Sequence, residues 1–287
     1  MTAQQMIALA IQVSLALIVF GLGLQSRLRD ITGLLAQPGL LVRSLLAMYV
    51  IVPVIVAALC ANFDLNHSLE VALVVLAVSP VPPFLPGRET KAGGDSSYAV
   101  GLLVIAALVS LVFVPAAVHL LGYVFDKPGA VPLALVAKVI VTSVLLPLAA
   151  GFVVRWLAPR FAAKAARPLT TFAMLLLVVA CIPVLIATRH ALLGLIGNFT
   201  IVAIIAVTVI AVLVGHWLGG PDPDDRTVLG LSTAMRHPGM AMAIAHAVAP
   251  DDKVIPAAIL LIVIVAFIAT IPYAKRRARM HAQLGSP

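Results

Sequence analysis

Nine apolar stretches, separated by short polar segments, run along the chain. Each is close to the 20 or so residues that an α-helix needs to cross a bilayer core of about 30 Å. They lie near residues 5–24, 40–62, 68–92, 96–122, 130–156, 168–188, 191–217, 227–248 and 254–274. The pattern predicts an all-α, polytopic membrane protein of about nine transmembrane helices.

The composition excludes a soluble globular domain. Of the 287 residues, 62% are hydrophobic and 10% are charged, whereas soluble proteins are roughly half apolar and a quarter charged. The mean hydropathy is +1.14. Cys60 and Cys181 both lie inside apolar stretches, which argues against a disulfide framework and against a thiolate metal cluster. We expect no cofactor.

The basic residues are divided unequally between alternate loops. The net charge is +8. Because the basic residues lie between the predicted spans, they indicate the orientation of the chain in the membrane, and we expect a lipid bilayer and no nucleic acid as partner. The basic residues assigned to the side of the membrane that follows spans 1, 3, 5, 7 and 9 are Arg27, Arg29, Arg43, Arg88, Lys91, Arg155, Arg160, Lys164, Arg167, Arg226, Lys275, Arg276, Arg277 and Arg279. On the other side are Lys127, Arg189 and Lys253. The positive-inside rule predicts the N-terminus outside and the C-terminus inside the cell (inner) membrane.

Two of the predicted spans contain residues that an uninterrupted helix does not tolerate. Residues 79–91 of span 3 read Ser-Pro-Val-Pro-Pro-Phe-Leu-Pro-Gly-Arg-Glu-Thr-Lys, and residues 234–240 of span 8 read Ala-Met-Arg-His-Pro-Gly-Met. Proline removes a helix donor and clashes with the preceding turn. The predicted helix breaks are Pro80, Pro82, Pro83, Pro86 and Gly87 in the first segment, and Pro238 and Gly239 in the second.

Irregular backbone at membrane depth survives only where it is buried in protein or lines a cavity. The two breaks lie in corresponding places of two halves, residues 1–127 with four spans and residues 128–287 with five, and their spans run in opposite directions. This is the layout of an inverted repeat, in which two discontinuous helices cross near the midplane and form a substrate site.

Four segments of the chain resemble motifs of the bile acid:sodium symporter family of secondary transporters. Residues 19–24 (Val-Phe-Gly-Leu-Gly-Leu) are similar to its first motif, and residues 48–53 (Met-Tyr-Val-Ile-Val-Pro) occupy the place of its Gln-Phe-x-x-Met-Pro. Gly94 and Asp95 resemble its Lys-Gly-Asp, and residues 236–241 (Arg-His-Pro-Gly-Met-Ala) align with Gln-Asn-Ser-Gly-Leu-Ala. The resemblance implies a core domain with two crossed broken helices against a flatter panel domain. Members of the family typically have ten spans, so the nine spans predicted here imply that the first panel helix is lost.

The chain departs from the family at the residues that hold sodium there. In the first broken helix the family's Ser-Asn is replaced by Leu85 and Pro86. In the second half its Glu is replaced by Ser232 and its Gln by Arg236, and an earlier Gln is replaced by Met48. Sodium needs a shell of hard oxygen ligands. The comparison implies that the sodium sites are lost, and we expect no metal site.

Five residues near the breaks are the predicted substrate-binding residues: Arg236, His237, Glu89, Arg88 and Ser232. A guanidinium at the bilayer centre is costly unless it faces a cavity and finds a partner. Arg236 has two candidate partners, Glu89 of the opposite break in an internal ion pair, or an anionic substrate. Arg88 is alternatively an ordinary basic residue at the cytoplasmic edge. His237 is either a proton carrier or a hydrogen-bond partner of a freed carbonyl group at the break.

These features favour a secondary transporter that moves a small organic anion by alternating access. We expect no sodium coupling, and proton coupling through His237 or Glu89 if there is coupling. One alternative is a sodium-dependent, bile-acid-like organic acid symporter with an altered sodium site; another is a transport-inactive membrane sensor or subunit.

No zinc-protease, nucleophile-elbow or phosphate-loop motif is present, so we do not expect an enzyme. The sequence makes no prediction of oligomeric state.

Overall fold

The computed structural model describes residues 3–124, 131–197 and 199–284, and these residues form helices joined by short turns. In the first half the helices are α1 (Ala3–Gln25), α2 (Leu28–Gly33), α3 (Pro38–Leu46), α4 (Val52–Asn62), α5 (His67–Ala77), α6 (Leu85–Lys91) and α7 (Ser96–Val124). In the second half they are α8 (Leu133–Ile140), α9 (Leu146–Leu157), α10 (Pro159–Leu195), α11 (Thr200–Leu218), α12 (Pro223–Ala234), α13 (Pro238–Val248), α14 (Ile255–Ala269) and α15 (Ile271–Leu284). The prediction of an all-α polytopic membrane protein is confirmed.

Seven helical segments of the described chain are long and apolar enough to cross a membrane. They are Gln5–Gln25, Pro38–Asn62, Ser96–Leu120, Leu133–Leu157, Pro159–Leu195, Thr200–Leu218 and Ile255–Gln283. The two remaining predicted spans are the interrupted pairs, α5 with α6 and α12 with α13. The proposed border of the halves at residues 127 and 128, together with Lys127, lies outside the described residues.

The predicted border between the sixth and seventh spans is wrong. The sequence pattern places Arg189 and His190 in a loop, but α10 continues through both and ends at Leu195. Their side chains are exposed, and a long basic side chain on a helix can extend to an interface without ending the helix. The chain turns instead before α11, where Phe199 adopts the left-handed conformation (φ 63°).

Two spans contain a π-helical turn that the sequence analysis did not predict. The first, Ala47–Ile51, joins α3 to α4, and the second, Val141–Leu145, joins α8 to α9. Each is followed two positions later by a proline, Pro53 or Pro147. Proline has no N–H to donate, so each turn leaves a carbonyl oxygen without its helical partner, and π-turns are often found at functional sites.

The helices pack in two groups. In one group α1 lies along α9 and α10, and it approaches α9 so closely that a Cβ atom on Gly151 would clash with the backbone of Gly23. Small residues at such contacts let membrane helices meet backbone to backbone. In the other group the interrupted helices pack among α4, α7, α11 and α14. This agrees with the panel and core that the family resemblance implies.

Candidate functional site

The first helix break is a non-helical segment rich in hydrogen-bond acceptors. Helix α5 ends at Ala77, and α6 begins at Leu85. Pro80, Pro82 and Pro83 lie in the non-helical residues between them, where they remove N–H donors but leave carbonyl oxygens free. The prediction that Pro86 and Gly87 belong to the break is wrong. Both lie in the first turn of α6, where a proline costs nothing because that N–H has no helical partner.

The second helix break is shorter and carries donors. It consists of residues 235–237, because α12 ends at Ala234 and α13 begins at Pro238. Pro238 and Gly239, predicted as break residues, are instead the first residues of α13. The Nδ1 atom of His237 accepts a hydrogen bond from the backbone N–H of Met240 at 3.2 Å. The imidazole therefore caps α13 as an Asn or Ser side chain caps other helices.

The two breaks are in direct contact. The backbone N–H of His237 donates to the carbonyl oxygen of Pro80 at 2.9 Å. The guanidinium of Arg236 donates from Nη1 to the carbonyl oxygen of Ser79 at 3.3 Å. It donates from Nη2 to the carbonyl oxygen of Met48 at 2.7 Å. Donors of the second break are thus matched to acceptors of the first.

The carbonyl oxygen of Met48 is available because of the π-turn. Within that turn the N–H of Val52 bonds to Ala47, five residues earlier. The next N–H in this register would be that of residue 53 and would bond to Met48, but residue 53 is proline. Arg236 supplies the missing donor, so the π-turn, Pro53 and Arg236 form one hydrogen-bonded unit.

The Arg236 guanidinium is enclosed within the core. Its residue is 7% exposed, and it borders a cavity of about 40 Å³ lined mainly by apolar side chains of α4, α5, α11 and α14. The Nε atom has no hydrogen-bond partner among the described residues. The ion pair with Glu89, one of the two candidate interactions of Arg236, is not formed in the described part of the chain, because the guanidinium bonds to backbone carbonyl oxygens instead.

Glu89 and Ser232 are brought together from the two interrupted helices. Glu89 is fully buried in α6, and its Oε1 accepts a hydrogen bond from the Ser232 hydroxyl at 2.6 Å. Ser232 is also buried and lies in α12. The Oε2 atom of Glu89 has no partner among the described residues. This contact is separate from the carbonyl contacts of Arg236.

Arg88 lies on the other side of α6 and is half-buried. It donates from Nη2 to the carbonyl oxygen of Phe267 at 3.0 Å, and its guanidinium carbon lies 4.0 Å above the centre of the Phe267 ring. A third contact joins Nη1 to the sulfur of Met235, 2.9 Å away. Arg88 therefore holds α6 to α14 and to the second break.

Sequence reasoning missed several residues that meet at the crossing. The Ser143 hydroxyl lies 3.4 Å from Nε2 of His237, and it lies in the second π-turn. Because Nδ1 accepts from Met240, Nε2 carries the ring proton and points it towards Ser143. The signal in the sequence was a proline inside each of two apolar spans, Pro53 and Pro147, which marks a freed carbonyl oxygen.

The residues around Arg236 do not fit a sodium ion at that point. A cation there would need the carbonyl oxygens of Ser79 and Met48, and the guanidinium already donates to both. At the place of the family's Ser-Asn, Leu85 and Pro86 are buried and offer no side-chain oxygen. One positive group cannot share these acceptors with another without strong repulsion.

Comparison with known proteins agrees with this architecture. The sequence profile of the Sodium Bile acid symporter family matches residues 12–194, a segment that includes the first break. The chain belongs to the sodium bile acid symporter family. A similar protein is the uncharacterized sodium-dependent transporter YocS of Bacillus subtilis (strain 168), 23% identical over 260 residues, which cover 87% of this chain and 77% of that protein. This family member is therefore a multi-pass membrane transporter, as the sequence resemblance predicted.

Proposed function

We propose that the protein moves a small organic anion by alternating access and does so without sodium. The observation that carries the proposal is the buried guanidinium of Arg236, which donates to Ser79 and Met48 where the two broken helices meet. A cation bound to carbonyl oxygens of discontinuous helices is the usual way in which sodium stabilises such a crossing. Here the cation is part of the chain, so it neither binds nor dissociates during the cycle.

A fixed positive charge also supports an anionic substrate. In the described part of the chain Arg236 makes no ion pair, and its field acts on the space around the crossing. Helix α13 presents its N-terminus, the positive end of its dipole, at the same point. An anion that binds beside His237 and Ser143, where Nε2 offers a proton, would balance this charge without needing to reach the enclosed guanidinium.

We infer the membrane orientation from the basic residues. Exposed basic side chains lie just after α1 (Arg27 and Arg29), at the start of α10 (Arg160 and Lys164) and in α15 (Lys275, Arg276 and Arg279). Their positions favour an N-terminus outside and a C-terminus in the cytoplasm of the cell membrane.

Uptake into proteoliposomes tests the proposal. The probes are radiolabelled pyruvate, a small organic anion, and radiolabelled taurocholate, a large one, with external sodium chloride replaced by choline chloride. We expect protein-dependent uptake of one of these anions at equal rates in both salts. Uptake that requires sodium contradicts the proposal, and uptake of neither anion above protein-free liposomes contradicts the substrate class.

A sodium-dependent symporter with an altered sodium site is the second candidate. The observation that favours it is the name of the similar protein YocS, which is given as sodium-dependent. In that case the ion would have to lie away from Arg236, since the guanidinium holds the carbonyl oxygens there. The same uptake measurement separates the two candidates, because the second requires a rate that rises with sodium concentration.

A further inference from the structure

Glu89 is a buried carboxyl group without a counter-ion. Its residue is fully buried, one oxygen accepts from Ser232, and the other has no partner among the described residues. Carboxylate contacts in the described chain join Glu70 to His67 at 3.9 Å and Asp224 to His281 at 3.2 Å, each an ion pair when the imidazole is protonated, and Glu89 is in neither. A charged carboxylate enclosed in this way is costly, and protonation removes the charge.

The groups that face Glu89 do not supply the missing charge. Helix α6 packs against α7 and α12. Arg88, its neighbour in α6, interacts with it electrostatically but has its guanidinium on Phe267. From α7 the facing titratable group is Tyr98, which is neutral near pH 7. From α12 it is the neutral hydroxyl of Ser232.

The charged residues of the neighbouring elements lie farther along the helices. Asp224, Asp225 and Arg226 lie in the first turn of α12, about two turns before Ser232. At the end of α6, His281 of α15 packs on Gly93, and it forms an ion pair with Asp224. None of these groups forms an ion pair with Glu89 in the described part of the chain.

His237, the other sequence candidate for a proton carrier, has a different role. Its Nδ1 atom accepts from the N–H of Met240, and a proton on Nδ1 would abolish that bond. It would also place a positive charge at the positive end of the α13 dipole, where a cation is unfavourable. The neutral imidazole is therefore the form that the local structure stabilises.

We propose that Glu89 is the proton-binding site of the transport cycle and that Ser232 of the second broken helix holds its carboxyl group in place. In the enclosed state the O–H bond is intact. When α6 and α12 separate, water reaches the carboxyl group, the O–H bond breaks, and the proton passes to a water molecule on that side of the membrane. This inference rests on the proposed organic anion transport, to which it adds the coupling ion.

The variant E89Q tests the proposal, with E70Q as the matched control. Glutamine keeps the shape of the side chain and its bond to Ser232 but cannot release a proton. Glu70 lies in α5 and forms an ion pair with the exposed His67. Uptake of radiolabelled pyruvate and taurocholate is measured with an inward proton gradient and without one, and exchange of internal for external anion is measured separately.

We expect a proton gradient to drive accumulation by the native protein and by E70Q. We expect E89Q to lose accumulation but to retain measurable exchange. Accumulation by E89Q in response to the gradient, equal to that of the native protein, overturns the proposal. Sodium-independent uptake that ignores the gradient in the native protein also overturns it, while leaving the proposed function intact.

Infrared spectroscopy of the purified protein gives a second, substrate-free readout. We expect the native protein at neutral pH to show the carbonyl band of a protonated carboxyl group, and we expect E89Q to lose that band. S232A, which keeps Glu89 but removes its partner, is expected to shift the band. An identical spectrum for the native protein and E89Q contradicts the proposal even if neither pyruvate nor taurocholate is transported.

Discussion

The two broken helices differ in what they bring to the crossing. The first break is long and rich in proline, so it offers carbonyl oxygens with few N–H donors, and those of Ser79 and Pro80 accept hydrogen bonds from the second break. The second is three residues long and offers donors, from the guanidinium of Arg236 and the backbone of His237. Similar interruptions of a membrane helix therefore have opposite hydrogen-bonding characters, and each satisfies the other.

The same contrast appears in the charges beside the breaks. Glu89 follows the first break and lies against Ser232 of the second interrupted helix. Arg236 lies in the second break and reaches into the first. The carboxyl group and the guanidinium thus cross over without forming an ion pair in the described part of the chain. Each is held by neutral groups of other helices, so the guanidinium keeps its charge for a substrate and the carboxyl group can bind or release a proton.

Removal of the donors from the second break should have the largest effect. R236Q leaves the carbonyl oxygens of Ser79 and Met48 without the guanidinium, and each buried, unpaired polar group costs about 1–3 kcal/mol. We expect uptake in choline chloride to fall by at least roughly tenfold, since about 1.4 kcal/mol corresponds to a factor of ten. Unchanged uptake by R236Q in choline chloride would show that the crossing does not need the charge.

R155Q is the matched control for R236Q. Arg155 also donates to backbone carbonyl oxygens, those of Leu24 at 2.9 Å and Gln25, but it does so between α9 and the end of α1, away from the breaks. We expect R155Q to lower thermal stability and to retain uptake. Equal loss of uptake in R236Q and R155Q would mean that transport does not depend specifically on the arginine at the helix breaks.

A change in the acceptors should have a smaller effect. P53A restores an N–H that can bond to Met48 within the π-turn, so it competes with Arg236 for that oxygen. P147A makes the same change in the second π-turn, which does not contact Arg236 in the described structure. We expect P53A to reduce uptake by a fewfold and P147A to leave it closer to native. The opposite order would contradict the role of the freed carbonyl.

Loss of the imidazole cap should cost less again. H237A removes the acceptor for the N–H of Met240, and a lost N-cap destabilises a helix by about 1 kcal/mol. H237N keeps a side-chain acceptor at the same position. Thermal unfolding should therefore rank the proteins as native, H237N and H237A in decreasing stability. Equal stability of H237N and H237A would remove the capping role.

The smallest effect is expected at the polar end of the second interrupted helix. Burial, together with the carboxylates of Asp222, Asp95 and Asp224, raises the pKa of Asp225 to about 6. Because the folded-state pKa is above the usual value near 3.9, the stability contributed by protonated Asp225 is lost as the pH rises through 6. We expect the melting temperature of D225N to fall less between pH 5 and pH 7 than that of the native protein. An equal fall in the two proteins would contradict this.

Asp225 also borders a polar cavity of about 340 Å³ lined by carboxylates of α2, the α7 entry and α12. The exposed Asp251 provides the control for D225N because it lies near α14, outside that cavity. We expect D251N to unfold with the pH dependence of the native protein. If D251N altered the pH dependence of unfolding as much as D225N, the effect would come from net charge and not from the cavity.

Much of the fold could be predicted from the sequence, because the bilayer imposes a strong pattern on apolar stretches. The proline cluster at 80–83 and the segment at 235–239 marked the two breaks. Their limits were misplaced because a proline such as Pro86 or Pro238 also begins a helix well. Arg189 was misplaced because charge alone does not end a helix that is otherwise apolar.

The candidate site was harder to predict, because the hydrogen-bond partners of Arg236 are backbone carbonyl oxygens. The sequence identified Arg236 and Glu89, and it offered a pairing of the two as one of two alternatives. Pro53 indicated that a carbonyl oxygen is freed, but not that it is the one of Met48, since backbone acceptors look alike at every position. Only the geometry of the π-turn, combined with Pro53, shows which oxygen is free. The contact of Glu89 with Ser232 likewise depends on how α6 and α12 pack.

Thermal unfolding in sodium chloride and in choline chloride tests most directly whether Arg236 takes the place of a bound sodium ion. A ligand that binds only the folded state raises the melting temperature, and the rise grows with the ratio of its concentration to its Kd. We expect equal melting temperatures in the two salts for the native protein and a higher one in sodium for R236Q, whose new amide oxygen joins the freed carbonyls of Ser79 and Met48. Stabilisation of the native protein by sodium, with none for R236Q, would contradict this role of the guanidinium.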